Sequence, residues 1–200
     1  VVYEAFAEGG ITRYLAIFNA ADQVARVGPV RSARPYCVDW LREYGDSSYW
    51  HCGGSPQALA EIKQLGLFDV NQFFNDPEFW RDNQFDAPHN LFTNTDHWSV
   101  FLDKKSSTHP AVAWQGWLFE STGAASSSAR LSDTVTIHFT KDYKVTWDYQ
   151  AAGDTYERSI NGSHHLIAGL PIMASTIVIE EVSTSIIDDE GRKDMDTVGS

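Results

Sequence analysis

Apolar positions follow mixed helical and strand spacings in the first half of this chain and a period of two in the second. Residues 1–6 and 11–18 are apolar-dense and flank Glu8-Gly9-Gly10, a pattern that predicts a β-hairpin. Over 32–44, Tyr36, Val38, Trp40 and Leu41 are mixed with Arg34, Asp39, Arg42 and Glu43, which suits an amphipathic helix capped by Ser32 with Pro35 in its first turn. Residues 47–52 are short and aromatic and read as a buried strand. Ser55 then caps a clearer helix, with Ala58, Ile62 and Leu65 at helical spacing and Gly66 as its stop.

Between 69 and 94, Pro77 and Pro88 exclude a long helix, and loops with short helical turns are expected. Residues 96–104 predict a further short helix, 114–120 a short apolar segment, and the small polar stretch 123–128 a linker. Beyond it, 134–139, 144–149, 156–160 and 172–182 alternate as strands do, with Asn161-Gly162 as a hairpin turn. The fold class expected is α+β. A mixed N-terminal sheet with a few helices (1–122) is expected to pack beside a β-rich half (123–200), with a site between them near the two capped helices.

An apolar content of 42% with 13% aromatic residues suffices for one sizeable core. The formal net charge of −12 excludes a sequence-independent nucleic-acid binder, which needs a surplus of Lys and Arg on one face. Much of that charge lies in Glu180, Glu181, Asp188, Asp189, Glu190, Asp194 and Asp196, read as a solvated acidic loop. No apolar run approaches the ~20 residues of a membrane span and no signal-peptide pattern opens the chain, so these residues read as soluble. The sequence begins inside a strand pattern and ends without a stop signal, so it is expected to continue at both ends. Cys37 and Cys52 are too few for a disulfide scaffold; two free buried thiols are favoured over a Cys37–Cys52 pair.

The candidate chemistry gathers at two loop-to-helix junctions. Gly28-Pro29-Val30-Arg31-Ser32-Ala33-Arg34 sets two arginines and a serine where backbone N–H groups are unpaired, and His51-Cys52-Gly53-Gly54-Ser55-Pro56 repeats the device. Cations at a helix N-terminus are unfavourable unless an anion lies between them. Either a bound phosphate or carboxylate supplies it, or Asp39, Glu4 or Glu8 does so from within. Candidate ligand-binding residues are therefore Arg13, Arg31, Ser32, Arg34, His51, Gly53, Gly54, Ser55, His89, Asn90, Tyr156 and Arg158, with His51 and His89 as candidate acid–base groups. Arg81 and Asp82 could pair with each other or reach the site, and Trp80 and Trp98 are the candidates for an exposed aromatic platform. The spacings of His and Cys match no metal motif, and neither a metal nor a cofactor is expected.

Four motifs in order, Glu8-Gly9-Gly10-Ile11-Thr12-Arg13, Gly28 to Arg34 as quoted, Gly53-Gly54-Ser55-Pro56 and Ala87-Pro88-His89-Asn90, resemble those of the YerB-like bacterial lipoprotein family, a domain family of unknown function. Trp147-Asp148-Tyr149, Tyr156-Glu157-Arg158 and Asn161-Gly162 resemble its second half. The resemblance implies an extracytoplasmic protein on the outer face of the bacterial cytoplasmic membrane, held by an anchor beyond these residues, and a last stretch of β-structure after Ser200. The reading it leads to is an envelope protein that binds an anionic glycan or lipid-linked ligand. The alternatives are a hydrolase or transferase at a phosphodiester or glycosidic bond, and a structural scaffold.

Overall fold

The structure is a computed structural model that describes residues 1–19, 21–105, 116–117 and 132–199; the linker expected at 123–128 and most of 114–120 lie outside the described residues. It is an α+β protein whose chain divides into two units: Val1–Tyr3, Leu15–Trp117 and Thr184–Asp196 form one, and Glu4–Tyr14, Leu118–Ser183 and Thr197–Ser200 the other. The opening hairpin forms as its pattern predicts, β1 (Val2–Phe6) pairing with β2 (Thr12–Ala16) across a 3-10 turn at Glu8–Gly10.

In the first unit, α1 (Pro35–Leu41) buries Tyr36, Cys37, Val38, Trp40 and Leu41. Its cap is Arg34, in extended conformation and without a side-chain cap bond, not Ser32. Proline explains the difference. Pro35 occupies the first helical position, and the residue before a proline is pushed out of the helical region, so the helix cannot begin earlier. The chain then enters β3 (Tyr49–His51) and α2 (Pro56–Leu65), and returns in β4 (Asp69–Asn71), parallel to β3. Parallel neighbours require such a crossover. Ser55 caps α2 through Ala58 N–H, and Gly66 ends it in the left-handed region at φ 63°. Ala58 and Ile62 are buried as expected, but Leu65 at the last turn points outward and is 40% exposed.

The segment expected as loops and turns also holds short strands, β5 (Trp80–Arg81) and β6 (Leu91–Phe92), antiparallel and too brief to show a period in sequence. With α3 (Thr95–Lys105) they close a core of Phe68, Val70, Phe79, Leu91 and Phe101, against which Trp50 packs. Gly28 lies hard against β6: a Cβ there would stand 2.5 Å from Phe92 Cδ1 and 2.7 Å from the Leu91 carbonyl oxygen. Cys37 is buried and in no disulfide, whereas Cys52 is only half-buried and donates to Gln72 Oε1 at 3.4 Å.

In the second unit, β7 (Thr134–His138), β8 (Lys144–Gln150), β9 (Thr155–Ile160) and β10 (Ser163–His164) form an antiparallel sheet in the order β10-β9-β8-β7. Asn161 and Gly162, at φ 50° and 82°, make the turn between β9 and β10 that their dipeptide predicts. A small hairpin of β11 (Leu166–Ile167) and β12 (Leu170–Pro171) follows, and β13 (Met173–Ala174) returns to pair with β9. The strand expected over 172–182 stops at Ala174. Its partner there is Tyr156, one residue from the start of β9, so further residues have no strand to pair with. Pairing resumes in a hairpin of β14 (Glu181–Ile186) and β15 (Lys193–Gly199), whose span Thr184–Asp196 belongs to the first unit. Part of the acidic tail makes its turn: the Asp188 carboxylate accepts from the backbone N–H groups of Glu190 and Arg192 and from the Arg192 guanidinium.

Candidate functional site

The two junction motifs lie side by side. Cys52 N–H donates to the Arg31 carbonyl at 3.1 Å, Ala33 N–H to the Gly53 carbonyl at 2.9 Å, and Ser55 N–H to the Ala33 carbonyl at 3.2 Å. This pairing also consumes donors that an anion would need. Gly53 N–H is taken by Asn71 Oδ1 at 3.0 Å, and Ser55, fully buried, uses its hydroxyl to cap α2. Gly54 sits at the bridge with Ala33, where a Cβ would come within 3.2 Å of Ala33 Cβ and 3.1 Å of Leu59. The glycines are there for close backbone approach.

His51 is 1% exposed and stacks on Tyr49 with ring centroids 4.8 Å apart. Its Nδ1 lies 2.7 Å from the Gly53 carbonyl and its Nε2 2.7 Å from Asp69 Oδ1. Both ring nitrogens are therefore engaged within the fold. Arg34 is also buried, and its guanidinium donates to the Ala33 carbonyl at 2.8 Å; Ser32 between the arginines is half-buried.

Arg31 has a different setting. Half-buried, it donates from Nη1 to the Pro88 carbonyl at 2.7 Å, while Arg81 Nη1 donates to Asn90 Oδ1 at 2.8 Å. The two guanidinium groups thus grip the same three-residue segment from either side of His89. His89 is exposed at its apex, with its backbone N–H bonded to the Asp86 carbonyl at 2.8 Å. Both arginines are felt at the Cys52 thiol: burial pushes its pKa up, and the charges of Arg81 and Arg31 pull it back down. Arg81 and Asp82 do not pair with each other, since Asp82 takes Arg26 at 3.1 Å.

Arg13, Tyr156 and Arg158 fall in the second unit. Arg13 pairs with Glu8 at 3.1 Å, and Tyr156 packs on Tyr149. Arg158, 3% exposed, gives Nη2 to both Glu4 oxygens at 2.8 Å and to Tyr14 Oη at 3.1 Å, contacts His165 Nδ1 through Nη1, and lies over the Trp147 ring. Burial and the Arg158 charge hold the His165 imidazole below its ordinary pKa. The three carboxylates considered for Arg31 and Arg34 thus have other described partners: Glu4 takes Arg158, Glu8 takes Arg13, and Asp39 takes Arg42 at 3.3 Å.

Trp80 and Trp98 are half-buried and make no open platform. Trp98 donates to Thr93 Oγ1 and packs on Phe18 and Trp50, and Trp80 packs on Phe92 and His97. Among the described residues, no group of three His, Cys, Asp or Glu side chains stands close enough to hold a metal ion, and no helix is long and apolar enough to cross a membrane.

Fold and sequence together define a two-part family of proteins of unknown function. This chain belongs to the DUF3048 family, residues 1–108 matching its N-terminal domain and residues 135–200 its C-terminal domain. It is 33% identical over 207 residues to the protein named "Putative lipoprotein YerB" of Bacillus subtilis (strain 168), a match covering 98% of this chain and 60% of that protein. The crystal structure of the YerB protein from Bacillus subtilis aligns with a TM-score of 0.80 at 30% identity, over 98% of this chain and 66% of that one. The chain therefore spans less than two thirds of either relative's length.

Proposed function

We propose that this is an extracytoplasmic envelope protein, held on the outer face of the cytoplasmic membrane as its lipoprotein-named relative suggests, that binds a phosphate- or carboxylate-bearing glycan or lipid-linked ligand at Arg31, Arg81 and His89. The observation that carries the reading is the grip of two guanidinium groups on the segment 88–90. The partner that Arg81 finds there, an amide oxygen, positions its guanidinium group without neutralising it. Arg81 is exposed and commits one of its five donors to Asn90, which leaves donors facing solvent for a bidentate oxyanion. Arg34, His51 and Ser55 are too buried to touch a ligand and support the wall from behind.

A hydrolase would need a histidine with an open nitrogen, and that requirement falls on His89 alone of the two candidates. No described group hydrogen-bonds the His89 ring to orient it, which favours recognition over turnover. Isothermal titration with glycerol 3-phosphate and with glucuronate tests the reading. Arg81→Ala and Arg31→Ala are each expected to weaken binding about tenfold or more, the loss of one charge-assisted contact of ~1.5–3 kcal/mol. Affinity unchanged in the well-folded Arg81→Ala protein would remove the proposal.

A further inference from the structure

A concave feature lies in the first unit, lined by none of residues 88–90. The C-terminal half of α2 and strand β4 enclose a groove of about 360 Å³, toward the small end of the ~300–1,000 Å³ of ligand sites. Its walls are apolar, from Leu59, Ile62, Leu67 and Phe74, and two opposite charges, Lys63 and Asp69, line the same space. Phe74 is 84% exposed on this wall and its chain neighbour Phe73 is 68% exposed.

Asp69 links the buried β3–β4 pair to this groove. One carboxylate oxygen is fixed by the buried His51 ring at 2.7 Å, while the side chain as a whole remains 37% exposed beside the groove. Lys63, on the adjacent face of α2, is exposed and has no described hydrogen bond or ion pair. An aimed carboxylate, an available ammonium and an apolar floor match a small molecule carrying the reverse charges on an apolar body.

We infer that this groove binds a short apolar peptide zwitterion, with its ammonium on Asp69, its carboxylate on Lys63 and its side chains between Leu59, Leu67 and Phe74. The site is independent of the anion site around Arg31 and Arg81. It uses no residue of that site, and its ligand must carry a cation that the two arginines would repel.

The test is titration of the whole protein with Leu-Leu, followed by heteronuclear NMR shifts and by calorimetry. Leu-Leu is expected to shift resonances of residues 59–74, and to bind at least tenfold more tightly than N-acetyl-Leu-Leu, which has no ammonium, and Leu-Leu-amide, which has no carboxylate. Asp69→Asn and Lys63→Met are each expected to weaken Leu-Leu at least fivefold and to leave glycerol 3-phosphate binding unchanged. Lys63→Met is the decisive variant, since its ammonium supports no described contact in the fold. Equal affinity for Leu-Leu and its acetylated form, no shifts at 10 mM peptide (~10 times the Kd of a weak 1 mM site), or full binding by Lys63→Met would each overturn the inference. Arg81→Ala is expected to leave Leu-Leu binding intact, so either site can fail without the other.

Discussion

Replacing Glu4 by glutamine removes one charge from a buried pair while keeping the shape of the side chain. Arg158 is 3% exposed and Glu4 14%, and Nη2 reaches both carboxylate oxygens at 2.8 Å. Leaving one member of such a pair uncompensated costs about 3–5 kcal/mol. Glutamine retains one acceptor oxygen for Nη2, which puts Glu4→Gln near the lower end, about 3 kcal/mol. Arg158→Met leaves Glu4 with Thr12 Oγ1 at 2.8 Å and Tyr14 Oη at 3.2 Å, so its cost is set at about 2–3 kcal/mol. The double variant removes both charges, and its cost should fall short of the sum by at least ~1.5 kcal/mol, since contacting residues couple by ~0.5–3 kcal/mol. Urea unfolding followed by tryptophan fluorescence reads this, because the Arg158 guanidinium lies 5.7 Å from the Trp147 ring centroid. A loss below ~0.5 kcal/mol for Glu4→Gln, or strict additivity in the cycle, would show that the pair contributes no more than an exposed ion pair.

Further predictions follow at Gly28, Ser55 and His165. Gly28→Ala should destabilise by about 1–3 kcal/mol in urea titration, because its Cβ meets Phe92 and the Leu91 carbonyl at φ 154°. Ser55→Ala should cost ~1 kcal/mol by thermal melting, the loss of the Oγ acceptor for Ala58 N–H, while Ser55→Asp should retain most of the cap. The depressed pKa of His165 means that the unfolded chain takes up the proton first. Its contribution is present above the ordinary imidazole value of ~6.5, is lost as pH falls through that value, and stops changing below the folded value. His165→Gln should flatten that part of a stability–pH profile, and an unaltered slope between pH 7 and 5 would refute the assignment.

What could be read from the sequence was what short-range chemistry decides. Ser55-Pro56 and Gly66 marked both ends of α2, and Asn161-Gly162 marked its hairpin, because caps and turns are set by residues within a few positions. Ser32 misled because the constraint imposed by Pro35 on Arg34 outweighs the capping preference of a serine two residues earlier. The charge partners were out of reach for a different reason. Ion pairs leave no period, so nothing local assigns Glu4 to Arg158, Glu8 to Arg13 or Asp39 to Arg42 over other combinations. Asp69 was missed although a signal existed: a strand, a helix and a second strand in sequence predict parallel neighbours, and the register sets Asp69 opposite Tyr49, two residues before His51 and on the same face of the strand. Arg81 was visible as a residue able to reach the site, but only the β5–β6 pairing, which sets it opposite Leu91, brings it to Asn90.

The bond between Glu4 and Arg158 spans 154 positions, which makes the second unit a closure of the first strand onto the ninth. On a ribosome the carboxylate emerges long before its guanidinium, so this unit can complete only once the chain as far as residue 158 is available. A recombinant piece beginning at residue 123 would carry Arg158 into its interior without a counter-ion. Boundaries for isolating the C-terminal half are therefore set by the N-terminal hairpin, and a separate peptide that supplies residues 4–14 in trans should restore what such a piece lacks.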